Sequence, residues 1–256
     1  PDGYAAGLAS QCYIEGYRLT GNTNYLNKAV YWAKAMLPFN VFWNQKEREK
    51  MRYSHYPIMG TTWYTASKWW EWTVQWCGMA GAKPYFYLDK LDNSYPWYKI
   101  HNGITICGMQ FQKPDPYGTY PDGYSQPNDA DAYTWDLGPV DQFRNTLQIL
   151  GWDIDPQTRF VTLNTQTIHI TAGSNMDSAY MSGDTLVVVT NYIMNETAFI
   201  LVAGIGQPTS VIRDTITLST TTNLDTVVEG WKYDETKGRA LAKVRYPRNN
   251  STIYFL

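Results

Sequence analysis

The segment Leu19-Thr20-Gly21-Asn22-Thr23-Asn24-Tyr25-Leu26 (residues 19–26) decides the fold of the N-terminal part, because it ends one helical pattern and begins the next. Before it, apolar and small residues recur at helical spacing at positions 5, 8, 9, 12, 13 and 16. Gly21 interrupts that pattern, and Asn22-Thr23 supplies side chains that cap a following helix. The second apolar stripe ends before Pro38. A short turn between two such stripes predicts a helical hairpin.

Further helical patterns predict roughly three hairpins in all. One pattern runs from Trp63 to Ala80, after which the segment 81–84 should end or kink the helix, and another runs from Trp97 to Phe111. The last has Asp136 as its expected cap and Pro139 in its first turn, with apolar residues facing inward at Val140, Phe143, Leu147 and Leu150. The polar loop 113–136 lies between the last two patterns, and its length favours a functional role.

From about residue 158 the hydrophobic period changes from that of a helix to two. Short runs of β-branched residues predict strands, separated by turn signals such as Gly183-Asp184 and Asn195-Glu196. The predicted strands are 167–170, 185–189, 198–202, 211–213, 240–244 and 251–255. The sequence therefore predicts an α+β protein with two domains, a helical domain at 1–155 and an antiparallel β-sandwich at 156–256.

Composition narrows the class of ligand. Charged residues make up 17% of the chain and the net charge is -2, so no broad basic field favours nucleic acid as a partner. Aromatic residues make up 16%, with 11 Trp and 21 Tyr, and such side chains stack on sugar rings. The alternative is that Trp63, Trp69, Trp70 and Trp76 fill helical layers. Trp69 and Trp70 are neighbours on one helix and cannot both face a cleft.

Other sequence features bear on cellular context. The three cysteines, Cys12, Cys77 and Cys107, have no metal-ligand spacing and are expected to be buried thiols, with a disulfide plus one spare thiol as the alternative. No membrane span, signal peptide, cofactor motif or metal-ligand cluster is visible. Sequons at Asn195, Asn249 and Asn250 suit glycosylation of an extracellular or cell-surface protein.

The phrase Pro1-Asp2-Gly3-Tyr4 recurs as Pro121-Asp122-Gly123-Tyr124. Each copy precedes a helix, so the match favours either an internal helical repeat that presents Asp and Tyr from equivalent loops or a coincidence of turn chemistry. Because the chain begins inside one copy, we expect that a further helical portion precedes it and packs with it.

The helical part resembles a known family. Leu19 to Leu26, followed by Ala29 and Trp32-Ala33, is similar to a phrase that recurs in the hairpins of (α/α) toroid proteins acting on polysaccharides. The segments 75–78 and 118–122 also resemble uncharacterised bacterial toroid proteins, which are similar in layout to heparinase-type and alginate lyases. The resemblance implies a helical toroid followed by a β-sandwich. A full toroid has more hairpins than are predicted here, so this toroid would be partial.

The resemblance implies a polysaccharide lyase, in which a Tyr or His takes the C5 proton of a uronic acid and a cationic or hydrogen-bonding group neutralises the carboxylate. Arg52, His55 and Tyr124 have the required chemistry, together with Tyr56. The alternative is that His55 is a surface histidine and Arg52 a counter-ion in a solvated charge run.

Toroid glycoside hydrolases use two carboxylates instead, for which Asp122, Asp136 and Asp2 are candidates. Capping of a helix is the alternative role, above all for Asp136. The candidate substrate-binding residues are Asp2, Tyr4, Tyr56, Trp63, Gln75, Trp76, Tyr120 and Asp136. A third interpretation is a glycan-binding or structural protein without catalysis. Under each interpretation the expected partner is a polysaccharide or oligosaccharide.

Overall fold

The computed structural model describes residues 3–40, 72–73, 75–109, 112–121, 124–125, 136–153 and 155–256, with the backbone alone at 72–73, 75–76, 121, 124–125 and 136–137. The chain divides into two compact units, Pro1–Leu150 and Gly151–Leu256, so the division falls five residues before the boundary predicted from the sequence. The first unit holds the described helices and the second is built of strands, which makes the protein α+β.

The N-terminal helical hairpin is confirmed. Helix α1 spans Gly3–Thr20 and helix α2 spans Thr23–Met36. Gly21 between them has a φ of +67°, a conformation that glycine adopts without steric cost. The Asn22 side chain caps α2 by accepting a hydrogen bond from the backbone N–H of Asn24. Across the hairpin, the Ser10 hydroxyl donates to the carbonyl of Ala29 at 2.8 Å, with Ser10 buried.

The third predicted helix is wrong in its boundaries. Helix α3 spans Gln75–Leu88, whereas Trp72–Thr73 form a short strand, β1. The helix continues through Pro84, and its last turn is anchored by buried apolar side chains, Tyr85 among them. Gly81 lies inside the helix rather than at its end, and a Cβ atom on it would clash with the side chain of Met36 on α2. A Cβ atom on Gly7 would lie 2.8 Å from the Cα of Gly81.

Helix α4 spans Trp97–Met109, close to its predicted bounds. The Trp97 ring stacks on Tyr85 at 5.5 Å between ring centroids, and its Nε1–H donates to the Asp92 carboxylate at 2.7 Å. The hydroxyl of Tyr85 in turn donates to the carbonyl of Ala33 at 3.3 Å. These contacts join α2, α3 and α4 around one core of buried apolar residues.

Helix α5 spans Val140–Ile149 and faces the opposite way from the prediction. The apolar side chains of Val140, Phe143 and Leu150 are exposed, with Phe143 at 59%, whereas Gln142, Asn145 and Gln148 are buried. The expected cap is also wrong, because Pro139 occupies the cap position and Asp136 belongs to a strand. The buried amides hydrogen-bond the backbone and side chains of α3 and α4, and this polar pairing decides which face packs.

The second unit holds ten strands in two antiparallel five-stranded sheets, ordered β11-β10-β14-β8-β7 and β12-β13-β9-β6-β5. The strands are β5 Gln157–Leu163, β6 Gln166–Ala172, β7 Asn175–Ser182, β8 Thr185–Asn191, β9 Thr197–Ala203, β10 Val211–Arg213, β11 Ile216–Thr217, β12 Gly230–Asp234, β13 Arg239–Arg245 and β14 Asn250–Phe255. All six strands predicted from β-branched runs are present. The turns between strands use positive φ angles at Gly183, Asn195 and Gly238, as the turn signals indicate.

Side chains from both sheets meet in a single hydrophobic core. Ile168 and Ile170 contribute from one sheet, Val188 and Ile253 from the other. Strands β5, β7, β11 and β12 were not predicted, because β5, β7 and β12 lack a long run of β-branched residues and β11 is only two residues long. Among the helices that the structure describes, none is long and apolar enough to cross a membrane.

Candidate functional site

Two short antiparallel ladders gather several of the predicted site residues in the helical unit. Strand β1 (Trp72–Thr73) pairs with β3 (Tyr124–Ser125), and β2 (Tyr120–Pro121) pairs with β4 (Asp136–Leu137). The polar loop that the sequence marks as functional thus supplies three of these four strands. We refer to the two ladders, with the start of α3, as the ladder site.

Backbone pairing brings the predicted residues Tyr120, Tyr124, Gln75 and Asp136 to this site. Tyr124 lies opposite Thr73, two residues before Gln75 begins α3, and Tyr120 lies opposite Leu137, next to Asp136. Trp76 follows Gln75 in the first turn of the same helix. Residues distant in sequence therefore converge, as a substrate site requires.

The second ladder includes Pro121, the residue that precedes Asp122 in the sequence. Pro121 and Asp136 are directly opposite in this ladder, where Cα atoms lie about 4.5–5.5 Å apart. Asp122 itself lies outside the described residues.

Tyr120 anchors the ladder site to the helices. Its ring is buried with Met79 and Cys107, and its hydroxyl has no hydrogen-bond partner within the described part of the chain. Burial raises the pKa of Tyr120 to about 12, so the hydroxyl keeps its proton at neutral pH and can donate a hydrogen bond. Because its ring is buried, Tyr120 does not form an exposed aromatic platform on which a sugar could stack.

A row of buried amide side chains on α5 contacts α3 and α4, with the backbone of Met79 among its partners. The Asn145 Nδ2 donates to the carbonyl of Met79 at 2.8 Å, and the Gln142 amide donates to the carbonyl of Thr105 at 3.3 Å. A Cβ atom on Gly108 would lie 2.6 Å from the Met79 Sδ and 2.8 Å from the Gln142 Oε1, so the absence of a side chain there permits this close packing. The side-chain oxygens of Gln142 and Asn145 have no hydrogen-bond partner in the described part.

His101 ends this row. Its Nε2 lies 3.0 Å from the Gln148 Oε1 and its Nδ1 lies 3.2 Å from the Asn102 Oδ1. Burial lowers the pKa of His101 below the usual 6.5, against the opposing effect of hydrogen bonds to Asn102 and Gln148. The sequence analysis missed this residue, although Gln142, Asn145 and Gln148 at spacings of three gave a signal for a polar helix face.

The described part of the chain does not include most of the predicted catalytic residues. Arg52, His55, Tyr56, Trp63, Asp2 and Asp122 lie outside the described residues, as do Trp69 and Trp70. The backbone of Tyr124, Gln75, Trp76 and Asp136 is described without their side chains. Tyr4 lies in the first turn of α1 and is half-buried.

The predictions for the cysteines and for the sequons have different outcomes. Cys77 and Cys107 are buried as expected, whereas Cys12 is exposed on α1, so the expectation of three buried thiols is wrong at that position. The sequon residues Asn195, Asn249 and Asn250 are all exposed at strand ends or turns, where a glycan could be attached. No cluster of three or more His, Cys, Asp or Glu suited to a metal ion occurs among the described residues.

Comparison with known proteins adds little. No protein-family model matches this chain, and no curated protein matches it. Among solved structures, a GH31 dextranase from Flavobacterium johnsoniae in complex with glucose aligns with a TM-score of 0.26 and 10% identity, covering 35% of this chain and 12% of the dextranase. A likeness this small supports no conclusion about fold or function.

Proposed function

We propose that this protein processes polysaccharide at the ladder site, and that hydrolysis of a glycosidic bond by Asp122 and Asp136 is its reaction. The observation that supports the proposal is the pairing of Pro121 with Asp136, because Asp122 directly follows Pro121 in the sequence. Glycoside hydrolases place their carboxyl groups about 5–5.5 Å apart when they retain configuration and ~6.5–9.5 Å apart when they invert it.

Each aspartate has a defined role in this reaction. One carboxyl protonates the leaving oxygen, while the other, as a carboxylate, either attacks the anomeric carbon or activates a water molecule. Tyr124, Gln75 and Trp76 would surround the sugar, since their backbone lies at the ladder formed by β1 and β3.

A lyase is the second candidate, because Tyr124 lies within the same pair of ladders. In that reaction Tyr124 takes the C5 proton of a uronic acid, and Arg52 and His55 neutralise the developing charge on the carboxylate. The resemblance of the helical part to toroid lyases favours this reaction. A glycan-binding protein without catalysis is the third candidate. It would need neither the two aspartates of the hydrolase nor the proton-abstracting and charge-neutralising residues of the lyase.

The same resemblance supports a finer interpretation of the fold and of the cellular location. We propose that the helical unit is a partial (α/α) toroid and that the two five-stranded sheets form a β-sandwich. The exposed sequons Asn195, Asn249 and Asn250 are consistent with an extracellular or cell-surface protein.

The test is to incubate the protein with acidic and neutral polysaccharides and to follow new reducing ends together with absorbance near 235 nm from unsaturated products. Asp122→Asn and Asp136→Asn should each abolish the release of reducing ends. Asp141→Asn is the matched control, because Asp141 lies nearby on α5 and is engaged by Arg144 at 2.8 Å.

Each result distinguishes among the candidates. Reducing ends without absorbance, lost in both aspartate variants and kept in Asp141→Asn, would support hydrolysis. Absorbance that is lost in Tyr124→Phe would establish the lyase and overturn hydrolysis. No product from any polysaccharide would overturn both reactions and leave the binding protein.

A further inference from the structure

One face of the β-unit carries tyrosines where the core does not require them. In β8, Leu186 and Val188 lie in the core, so Val187 between them points to the opposite side of the sheet. Directly across from Val187 lie Tyr254 on β14 and Tyr180 on β7. We call the side of this sheet that faces away from the core the tyrosine face.

Val187 on the tyrosine face is flanked by the two tyrosines. Val187 is only 3% exposed although it points away from the core, so neighbouring side chains must cover it. Its two direct cross-strand partners, Tyr180 and Tyr254, are the largest side chains close enough to do so. A ring that covers a neighbour with one side presents its other side to solvent, and Tyr180 is 49% exposed.

The rest of the tyrosine face is rich in hydroxyl and amide groups. Its outward positions on the paired strands are Ser178, Ser182, Thr185, Val189, Asn191, Ile212, Thr217, Asn250 and Thr252. Charge is present at Asp177, which accepts a hydrogen bond from Asn191, and at Asp214, whose carboxylate lies 3.5 Å from the Arg248 guanidinium. The outward positions of the other sheet are different in kind, because they carry Lys232, Arg239, Lys243 and Arg245. A neutral ligand that combines apolar patches with hydroxyl groups therefore fits the first face and not the second.

A cleft of about 380 Å³ opens on the tyrosine face, within the size range of ~300–1,000 Å³ that small-molecule sites occupy. Its lining includes Tyr254, Val187, Ser182 and Thr185, and Asp214 lies at its side. The Asp214 Oδ1 accepts a hydrogen bond from the backbone N–H of Thr252 at 2.9 Å, which fixes the carboxylate. The cleft thus combines a ring, hydroxyl groups and one fixed acceptor.

We propose that the tyrosine face binds a neutral oligosaccharide, with pyranose rings stacked on Tyr254 and Tyr180 and their hydroxyls bonded to Ser182, Thr185 and Asp214. Flat aromatic faces match the apolar C–H side of a sugar ring, and the carboxylates of Asp177 and Asp214 disfavour the like charge of a uronic acid. The class of ligand rests on the function proposed above, but the site lies in the β-unit and is separate from the ladder site.

Native gels cast with a soluble polysaccharide test this site in the intact chain. The panel comprises dextran, galactomannan, arabinoxylan and mixed-linkage β-glucan as neutral probes, with alginate and pectate as acidic ones. At least one neutral probe should retard the protein. Tyr254→Ala should weaken that affinity about tenfold, and the double variant Tyr180→Ala with Tyr254→Ala should abolish it.

Two further variants separate stacking from folding. Tyr254→Phe keeps the ring and should bind the polysaccharide like the original protein. Tyr254→Ala should weaken binding without a change in the thermal unfolding of the helical unit. Phe199→Ala is the matched control, because Phe199 is an aromatic residue, 42% exposed, on the outward side of the other sheet. Its removal should leave retardation unchanged.

The outcomes separate this proposal from the ladder-site reaction. Retardation that persists in the double variant, that occurs only with acidic probes, or that no probe produces would overturn the tyrosine face as a neutral-sugar site. The hydrolysis proposed at the ladder site would still stand after such a result if Asp122→Asn abolished activity. Retardation lost in the double variant of a protein that cleaves nothing would support this site and overturn the proposed reaction.

Discussion

His101 and Gln148 meet inside the helical unit, with the histidine Nε2 lying 3.0 Å from the glutamine Oε1 and both side chains buried. A neutral imidazole carries a single N–H, and the histidine Nδ1 already faces the Asn102 oxygen. Rotation of the Gln148 amide by 180° would let its NH₂ group donate to the Nε2 of His101. That arrangement would also engage the Gln148 Nε2, which otherwise has no partner in the described part.

The stability of the helical unit should fall as the pH falls below about 6.5. The pKa of His101 is lowered in the folded protein, so between its folded and unfolded pKa values the unfolded chain binds the extra proton. The stabilisation is present above the unfolded pKa of 6.5 and is lost toward the folded pKa, with a slope of at most about 1.4 kcal/mol per pH unit.

Urea unfolding followed by tryptophan fluorescence between pH 5 and 7.5 measures this slope, because 9 of the 11 tryptophans precede residue 151. His101→Gln should flatten the dependence on pH. His169→Gln is the control, since His169 is exposed in the β-unit and packs edge-on against Phe160 at 4.4 Å. An equal slope in the original protein and in His101→Gln would contradict the prediction.

The orientation of α5 can be checked with two alanine substitutions. Asn145→Ala removes a buried amide and leaves the Met79 carbonyl without its donor, so the free energy of unfolding should fall by ~1–3 kcal/mol. Phe143→Ala should change it by less than ~0.5 kcal/mol, because the ring is 59% exposed. Were Phe143 the buried side chain, its removal would cost ~3–5 kcal/mol, and the order of the two effects would reverse.

The contact between α1 and α3 should not tolerate a methyl group at Gly7. A Cβ atom there would lie 2.8 Å from the Cα of Gly81, and backbone atoms cannot rotate away. Gly7→Ala should therefore destabilise the helical unit by ~1–3 kcal/mol, in spite of the better helix propensity of alanine. Leu8→Ala, at the neighbouring position that is 46% exposed, should be nearly neutral in the same thermal unfolding measurement.

A buried hydroxyl network should contribute to the stability of the β-unit. The Tyr246 hydroxyl donates to the Ser174 Oγ at 3.1 Å and lies 2.8 Å from the Thr190 Oγ1. Tyr246→Phe should lower the free energy of unfolding by ~1–2 kcal/mol, because two buried hydroxyl groups lose a partner. Thermal unfolding followed by circular dichroism measures this, with the exposed Tyr180→Phe as the control; equal midpoints for the two variants would refute the role of the network.

The parts of the fold that the sequence predicted are those controlled by local signals. The α1–α2 hairpin follows from Gly21 and Asn22, and the predicted strands follow from runs of β-branched residues. Helix α5 was misread because hydrophobicity was assumed to choose its buried face. The choice instead depends on partners such as Met79 and Thr105, which lie far away in sequence.

The candidate site was predictable in residue type but not in arrangement. Aspartate and tyrosine in the polar loop gave the chemistry, whereas the pairing of Pro121 with Asp136 and of Thr73 with Tyr124 depends on non-local backbone contacts. The tyrosine face could not be predicted from the sequence either. Tyr180 and Tyr254 become neighbours only when β7 and β14 flank β8.

The burial of Tyr120 has a consequence for how insertions and deletions would act. Side chains alternate across a strand, so a shift of one residue in the β2–β4 pairing would turn the Tyr120 ring out to water and draw Pro121 inward. A large ring seated against Met79 and Cys107 resists that exchange. Tyr120 therefore fixes the register of the β2–β4 pairing. Changes in loop length on either side of Tyr120 should leave the same residue opposite Asp136.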